Sequence, residues 1–561
     1  MLPRRRFLGL GLAAAGACSR RTVTSAPGTP GTAAIERIVL GRVLTLDPTL
    51  PQAEAVAIAG DRIAYVGSAT DALARRSPTT EVIDNGTGLV TPGLVDAHAH
   101  LLGLGRSLEE IDLRGAASIE EVVARVRAGD RGQPWLLGRG WDQNQWPGAA
   151  MPTHHPLSRA FGERPVWLRR VDGHAGWANE AALRAAHIGP GRASPEGGEI
   201  LLDAEGNPTG VLIDAAMGLM QPPDPSIDDL RRQLRAAQAH VLARGLTGVH
   251  DMGVGPMVDA LYREHDHAED PTQRLQLRVM GYADADWLPT LAHERTADHP
   301  APEHLYALLG VKLYADGALG SRGAALLQPY ADRPDHRGLM QHGPEAFLAQ
   351  CERATAAGYQ LATHAIGDAA NRAVLDAYAA VIERHALVGA RLRIEHAQIV
   401  DLADIPRFAA LGVVASMQPT HATSDMPWVP DRLGPDRLAG AYAWRRFLDA
   451  GVPLCFGSDF PVELPDVTHG LHAAITRQDP SGHPPEGWLP QQRLSLLQAL
   501  AAFSSGAAYA CYSEGFVGRI VAGHVADLTC FRDDLRQLSP LELRGAPVAA
   551  TLVAGQARYR A

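Results

Sequence analysis

Eight short apolar runs divide the middle of the chain: Gly93–His100, Thr247–Asp251, Gln276–Tyr282, Gly310–Ala315, Gln360–His364, Arg391–His396, Val413–Gln418 and Pro453–Asp459. Helical patterns separate most of them, at Leu230–Arg244, Pro344–Ala357, Ala369–His385, Ile405–Leu411 and Tyr442–Ala450. Strand-length apolar runs alternating with amphipathic helices predict parallel strands joined by helical crossovers. Eight of them predict an α/β fold of the (β/α)8, TIM-like type, here spanning 92–514. The gap from His100 to Leu246 is too long for one crossover. It predicts an inserted α/β subdomain at about 101–245, with strands at Trp135–Arg139 and Val166–Val171. Both ends of the chain carry β patterns instead. Ile35–Leu46 alternates, Ala55–Ala59 and Arg62–Val66 flank the turn signal Gly60-Asp61, and Ala526–Phe531 and Pro547–Val553 follow the barrel region. Segments 34–91 and 515–561 are therefore expected to fold together as a small β-sandwich.

The first residues read as an address. Arg4-Arg5-Arg6-Phe7-Leu8 is a twin-arginine pattern, and the apolar run to Ala17 is too short to cross a bilayer. Residues 1–18 resemble a Tat export signal. Ala15-Gly16-Ala17-Cys18 resembles a lipobox, in which Cys18 would be lipidated; Ala15-x-Ala17 equally suits ordinary signal-peptidase cleavage. Residues 19–33 read as a flexible tether. The expected location is the periplasm or cell envelope, with membrane attachment only through Cys18. Cys351, Cys455, Cys511 and Cys530 lie far apart and read as small buried hydrophobes, not as a disulfide framework. A formal net charge of −10 argues against nucleic acid or anionic lipid as a general partner. The expected partner is a small-molecule substrate, and a homo-oligomer is compatible with the sequence.

Polar residues with metal-binding capacity fall at the ends of the eight runs. His98 and His100 end the first; residues i and i+2 of a strand share a face, so both imidazoles leave it side by side. Lys312 lies in the fourth run, His364 ends the fifth, His396 the sixth and Asp459 the eighth. A barrel gathers the C-terminal ends of its strands into one mouth, so the set is expected to converge.

These residues sit within motifs that resemble the amidohydrolase superfamily, and more closely its amidohydrolase-3 or YtcJ-like branch, which includes N-substituted formamide deformylases. The likeness extends over roughly 34–560. It includes G-R-G-W-D at Gly138–Asp142, D-G-H-A-G-W-A-N at Asp172–Asn179, V-K-L-Y-A-D-G-A-L-G-S-R at Val311–Arg322 and T-H-A-I-G-D-A-A-N at Thr363–Asn371. The resemblance implies a metal-dependent hydrolase of C–N bonds. His98, His100 and Asp459 would hold one divalent ion and His364 and His396 a second, with zinc the first choice. An ammonium has no lone pair to offer a metal. The resemblance therefore implies an N6-carboxylysine at Lys312 bridging two ions; an unmodified Lys312 would leave one. Asp459 is the expected catalytic residue, taking a proton from water and passing it to the leaving amine. Ser458 lacks the G-x-S-x-G setting of a nucleophile.

For substrate contacts, the candidates are His174, Trp141, Asp316, Arg322 and Gln418, with His421 on the same rim as Gln418. Arg477 reads as structural. The expected reaction is hydrolysis of a small N-acyl or N-formyl amine. The alternatives are a cyclic amide, carbamate or ester cleaved at the same metal site, and, in another class, a non-catalytic extracytoplasmic binding lipoprotein.

Overall fold

The computed structural model describes residues 34–561 apart from 172, 174, 196 and 197. The export signal, Cys18, the tether and His174 lie outside the described residues. The eight expected strands are present. In chain order they are β1 (Leu94–Ala99), β2 (Leu246–Val254), β3 (Arg278–Asp284), β4 (Tyr306–Tyr314), β5 (Gln360–Ala365), β6 (Arg393–His396), β7 (Val414–Met417) and β8 (Leu454–Phe456). They form one sheet in that sequential order, every pairing parallel. Both faces of such a sheet are covered, which is why the runs are near-continuously apolar.

The ring closes beyond the ends of β1 and β8. Asp459 N donates to His98 O at 2.8 Å and His100 N to Phe460 O at 2.9 Å. Gly457 makes this approach feasible: a Cβ there would lie 2.5 Å from both His98 N and Asp96 Oδ1. Asp96, fully buried, accepts the Ser458 amide at 3.0 Å and its hydroxyl at 2.6 Å. Ser458 is thus a clasp between the first and last strands, in keeping with its reading as no nucleophile.

The insertion carries a six-stranded mixed sheet. Its two expected strands are seen at Leu136–Trp141 and Val166–Arg170. Four more, Ile111–Asp112, Ala175–Ala178, Gly198–Leu202 and Pro208–Asp214, are too short or too Gly-interrupted to show a period-2 pattern. Helix Ile227–Leu242, opened by a Ser226–Asp229 capping box, returns the chain to the barrel at β2.

The two ends of the chain do pair. Seven strands share one continuous sheet, in the order Gln556–Arg560, Val548–Val553, Leu528–Phe531, Glu81–Pro92, Arg37–Leu44, Gln52–Ala59, Arg62–Gly67. Val39, Val56, Val90, Leu528 and Leu552 from both ends meet in one apolar core. Arg278 of β3 ties the barrel to this sheet through Asp527 at 2.7 Å, both side chains buried. The four cysteines are free and buried, as expected. No helix among the described residues is long and apolar enough to cross a membrane.

Candidate metal centre

The barrel brings His98, His100, Lys312, His364, His396 and Asp459 into one cluster. His98 Nε2 lies 3.2 Å from Lys312 Nζ and 3.5 Å from Asp459 Oδ1. His100 Nε2 lies 3.1 Å from the same carboxylate oxygen. The His396 ring is 4.7 Å from that of His98 and 4.6 Å from that of His364, centroid to centroid. All are buried except His100 and His364, which are partly exposed.

Two of these residues reach the site through strained backbone. His396 has φ +74° and Asp459 φ +59°. Strand parity already points Arg393 and Glu395 into the barrel, so it would point His396 outwards. The left-handed turn at the end of β6 swings its imidazole back to the mouth. Non-glycine residues in this region cost roughly 1–3 kcal/mol and recur where function requires them.

Neighbouring groups set the tautomers. His98 Nδ1 donates to Glu395 Oε2 at 2.7 Å, and His396 Nδ1 donates to Gln418 Oε1 at 2.8 Å. Each leaves Nε2 with its lone pair facing the cluster, as a metal ligand requires. Burial, with the charge of Lys312 adding to it, pushes His98 down to about 4 and His364 down to about 3. Both rings are neutral at pH 7. Burial also lowers the Lys312 ammonium to about 8, against the pull of Glu395 and Asp459. Burial opposes charge on Asp459, but the imidazoles of His98 and His100 outweigh it and hold the carboxyl well below the usual carboxylate range.

The donor set fits a divalent ion. His364 Nε2 and His421 Nε2 are buried with no hydrogen-bond partner, and Asp459 Oδ1 faces the His98 and His100 rings. Unpaired buried polar atoms are rare, and here they gather beside neutral imidazoles and a carboxylate. Two groups offer converging donor atoms: His98, His100 and Asp459, and His396, His421 and Asp459. The first is the expected trio. The second differs from the expected His364–His396 pair, because His421 stands nearer to Asp459 than the sequence implied and His364 Nε2 sits 3.6 Å from Asp316 Oδ1.

Four expected substrate contacts have other partners. Trp141 is fully buried inside the insertion, packed on Trp146 and Trp177, with its Nε1 donating to Leu168 O at 2.8 Å. Asp316 is fully buried, and its carboxylate accepts the amides of Ala325, Ile366 and Gly367 at 2.8–2.9 Å. It anchors the turn after His364. Arg322 pairs with Asp332 at 2.8 Å. Gln418 holds His396 through its Oε1 and donates its Nε2 to Ser416 O. Arg477, buried against Trp444, donates to the Tyr442 and Trp488 carbonyls and is structural as read.

Glu395 and Arg393 were not singled out from the sequence. Arg393 donates to both Glu395 oxygens, at 2.7 and 3.0 Å, and to Ala97 O at 2.6 Å. The signal was present in R-I-E-H: two charges with period 2 inside an apolar strand.

The comparisons agree with this geometry. The amidohydrolase family model matches residues 81–559. The chain belongs to the amidohydrolase family. It is 34% identical to the amidohydrolase YtcJ of Bacillus subtilis (strain 168), over 86% of this chain and 91% of that one. It is 30% identical to an N-substituted formamide deformylase of Arthrobacter pascens, over 93% and 98%. A solved metal-dependent hydrolase of Pyrococcus furiosus superposes with a TM-score of 0.74 at 28% identity, covering 90% of this chain and 99% of that one. The protein is a hydrolase of the kind that acts on carbon–nitrogen bonds, with a barrel mouth suited to metal.

Proposed function

We propose that this amidohydrolase removes the acyl or formyl group from a small, neutral or apolar N-acyl amine. The observation that carries the reading is the meeting of four imidazoles, a buried lysine and an ionised Asp459 at the barrel mouth, with His364 Nε2 unpaired. The full-length likeness to a formamide deformylase supports a formyl or short acyl group.

His98 and His100, with Asp459, would hold one ion, and His364 and His396 a second, zinc being the first choice. A carbamate on Lys312 would serve both; a buried amine brought down to about 8 supports it, because the free amine is the form that adds CO2. Bound divalent metal supplies Lewis acidity, which polarises a carbonyl oxygen and acidifies water. The chain's own residues supply the rest. Asp459, ionised, takes the proton of the attacking water and returns it to the nitrogen of the departing amine. Glu395 and Gln418 keep His98 and His396 in the tautomer that turns Nε2 to the mouth. We also propose export by the Tat-type signal at 1–18, with Cys18 the point of lipid attachment.

The test pairs metal content with a substrate panel. Protein purified without chelator should carry about two equivalents of metal and an intact-mass surplus of one CO2. It should release amine from formanilide and related N-formyl and N-acetyl amines. A metal-free protein that no divalent ion activates on this panel, or on cyclic amides, carbamates and esters, would refute the reading.

A further inference from the structure

His421 is a buried polar side chain at the mouth that this mechanism leaves without work. It lies on the short helix Pro419–Asp425 after β7 and is 8% exposed. Its Nδ1 sits 3.3 Å from Gln398 Nε2. With the NH2 end of the Gln398 amide toward the ring, which can only donate, Nδ1 accepts and the ring proton resides on Nε2. That Nε2 has no hydrogen-bond partner. It points into the cluster, 4.0 Å from Asp459 Oδ2, with its ring stacked 6.0 Å from that of His396. The backbone carbonyl of Gln398 accepts the Tyr442 amide at 2.6 Å, which holds the main chain beside His421.

A metal ligand would need a lone pair on Nε2, which the Gln398 contact opposes. His98 and His396 show the opposite arrangement: their Nδ1 atoms donate to acceptor oxygens, and Nε2 is left bare. The three rings thus differ in what they offer the same space. Two present lone pairs and the third presents an N–H. A buried N–H without an acceptor costs about 1–3 kcal/mol, which an incoming oxygen would recover.

We propose that His421 is a catalytic hydrogen-bond donor, giving its Nε2–H to the substrate carbonyl oxygen and stabilising the negative charge that grows there as water adds. The inference rests on the hydrolase reading, and its test separates the two. His421→Ala and His421→Gln are made in the full chain loaded with zinc. With formanilide, His421→Ala should lower kcat by about 10²–10³-fold, the usual loss for one such donor. KM should change less than threefold and metal content not at all, and His421→Gln, which keeps an N–H, should recover part of kcat. Loss of one metal equivalent would make His421 a ligand and overturn the proposal, as would a kcat change under threefold. A separate readout needs no turnover. In ¹⁵N-histidine-labelled, metal-free protein, the resonance pair that vanishes in His421→Gln should carry the Nε2–H signature, and an Nδ1–H signature would overturn the proposal. If the wild type hydrolyses none of the substrate panel while the Nε2–H signature is present, the hydrolase reading fails and the donor assignment stands.

Discussion

Replacing Glu395 by Gln should destabilise the protein far more than an isosteric change ordinarily does. Glu395 and Arg393 are both fully buried inside the barrel, joined by two hydrogen bonds of 2.7 and 3.0 Å. The guanidinium also reaches Ala97 O, Ser416 Oγ, Tyr282 OH and His250 Nδ1, so β1, β2, β3, β6 and β7 all meet on it. None of those partners carries a negative charge. Glu395→Gln keeps the volume but leaves a buried cation without its counter-charge, a change that costs about 3–5 kcal/mol. An exposed pair such as Arg114–Asp112, with side chains 60% and 57% exposed, should yield only about 0–1 kcal/mol. Urea unfolding of chelated protein measures both without linkage to metal binding. Replacing both residues by apolar ones, Arg393→Met with Glu395→Leu, should cost less than Glu395→Gln alone, because no unpaired charge remains. A loss below about 1 kcal/mol for Glu395→Gln, or a double variant worse than the single one, would refute the argument that the barrel interior depends on this ion pair.

Other outcomes follow from the same geometry. Asp459→Asn should lower kcat on formanilide by about 10²–10⁴-fold, seen in steady-state kinetics, since it removes the group that accepts and returns the proton. Gly457→Ala should place a Cβ against the His98 backbone and cost about 1–3 kcal/mol, with lower metal occupancy by plasma mass spectrometry. Trp141→Phe should remove the bond to Leu168 O and lower the melting temperature while leaving KM unchanged; a raised KM would return Trp141 to the substrate pocket. His240 is held down to about 4, chiefly by burial and then by the charge of Arg244. It is neutral in the folded protein at pH 7. Its contribution is complete above about 6.5 and is lost as the pH falls towards 4, because the unfolded chain then binds the extra proton. His240→Gln should therefore flatten the thermal stability profile between pH 6.5 and 4.

The sequence alone determined the barrel and the cluster of candidate ligands at its mouth. Local pattern carries both: a strand buried on two faces must be apolar, so a histidine or aspartate that ends such a run stands out. His98, His100, His364, His396 and Asp459 were legible for that reason, and Lys312 as a charge inside such a run. The tertiary structure decided what lies between elements distant in the chain. Trp141 reads as a pocket aromatic until the insertion folds and encloses it with Trp146 and Trp177. Asp316 reads as a loop carboxylate until the amides of Ala325, Ile366 and Gly367 close on it. The donor face of His421 depends on Gln398, 23 residues away on another segment. The inward turn of His396 depends on a backbone angle that no residue pattern encodes. Periodicity reports which face of an element is buried. Hydrogen-bond partners, tautomers and charge pairing arise only when separate elements meet, and these settle which polar residues hold the site and which are left to act in it.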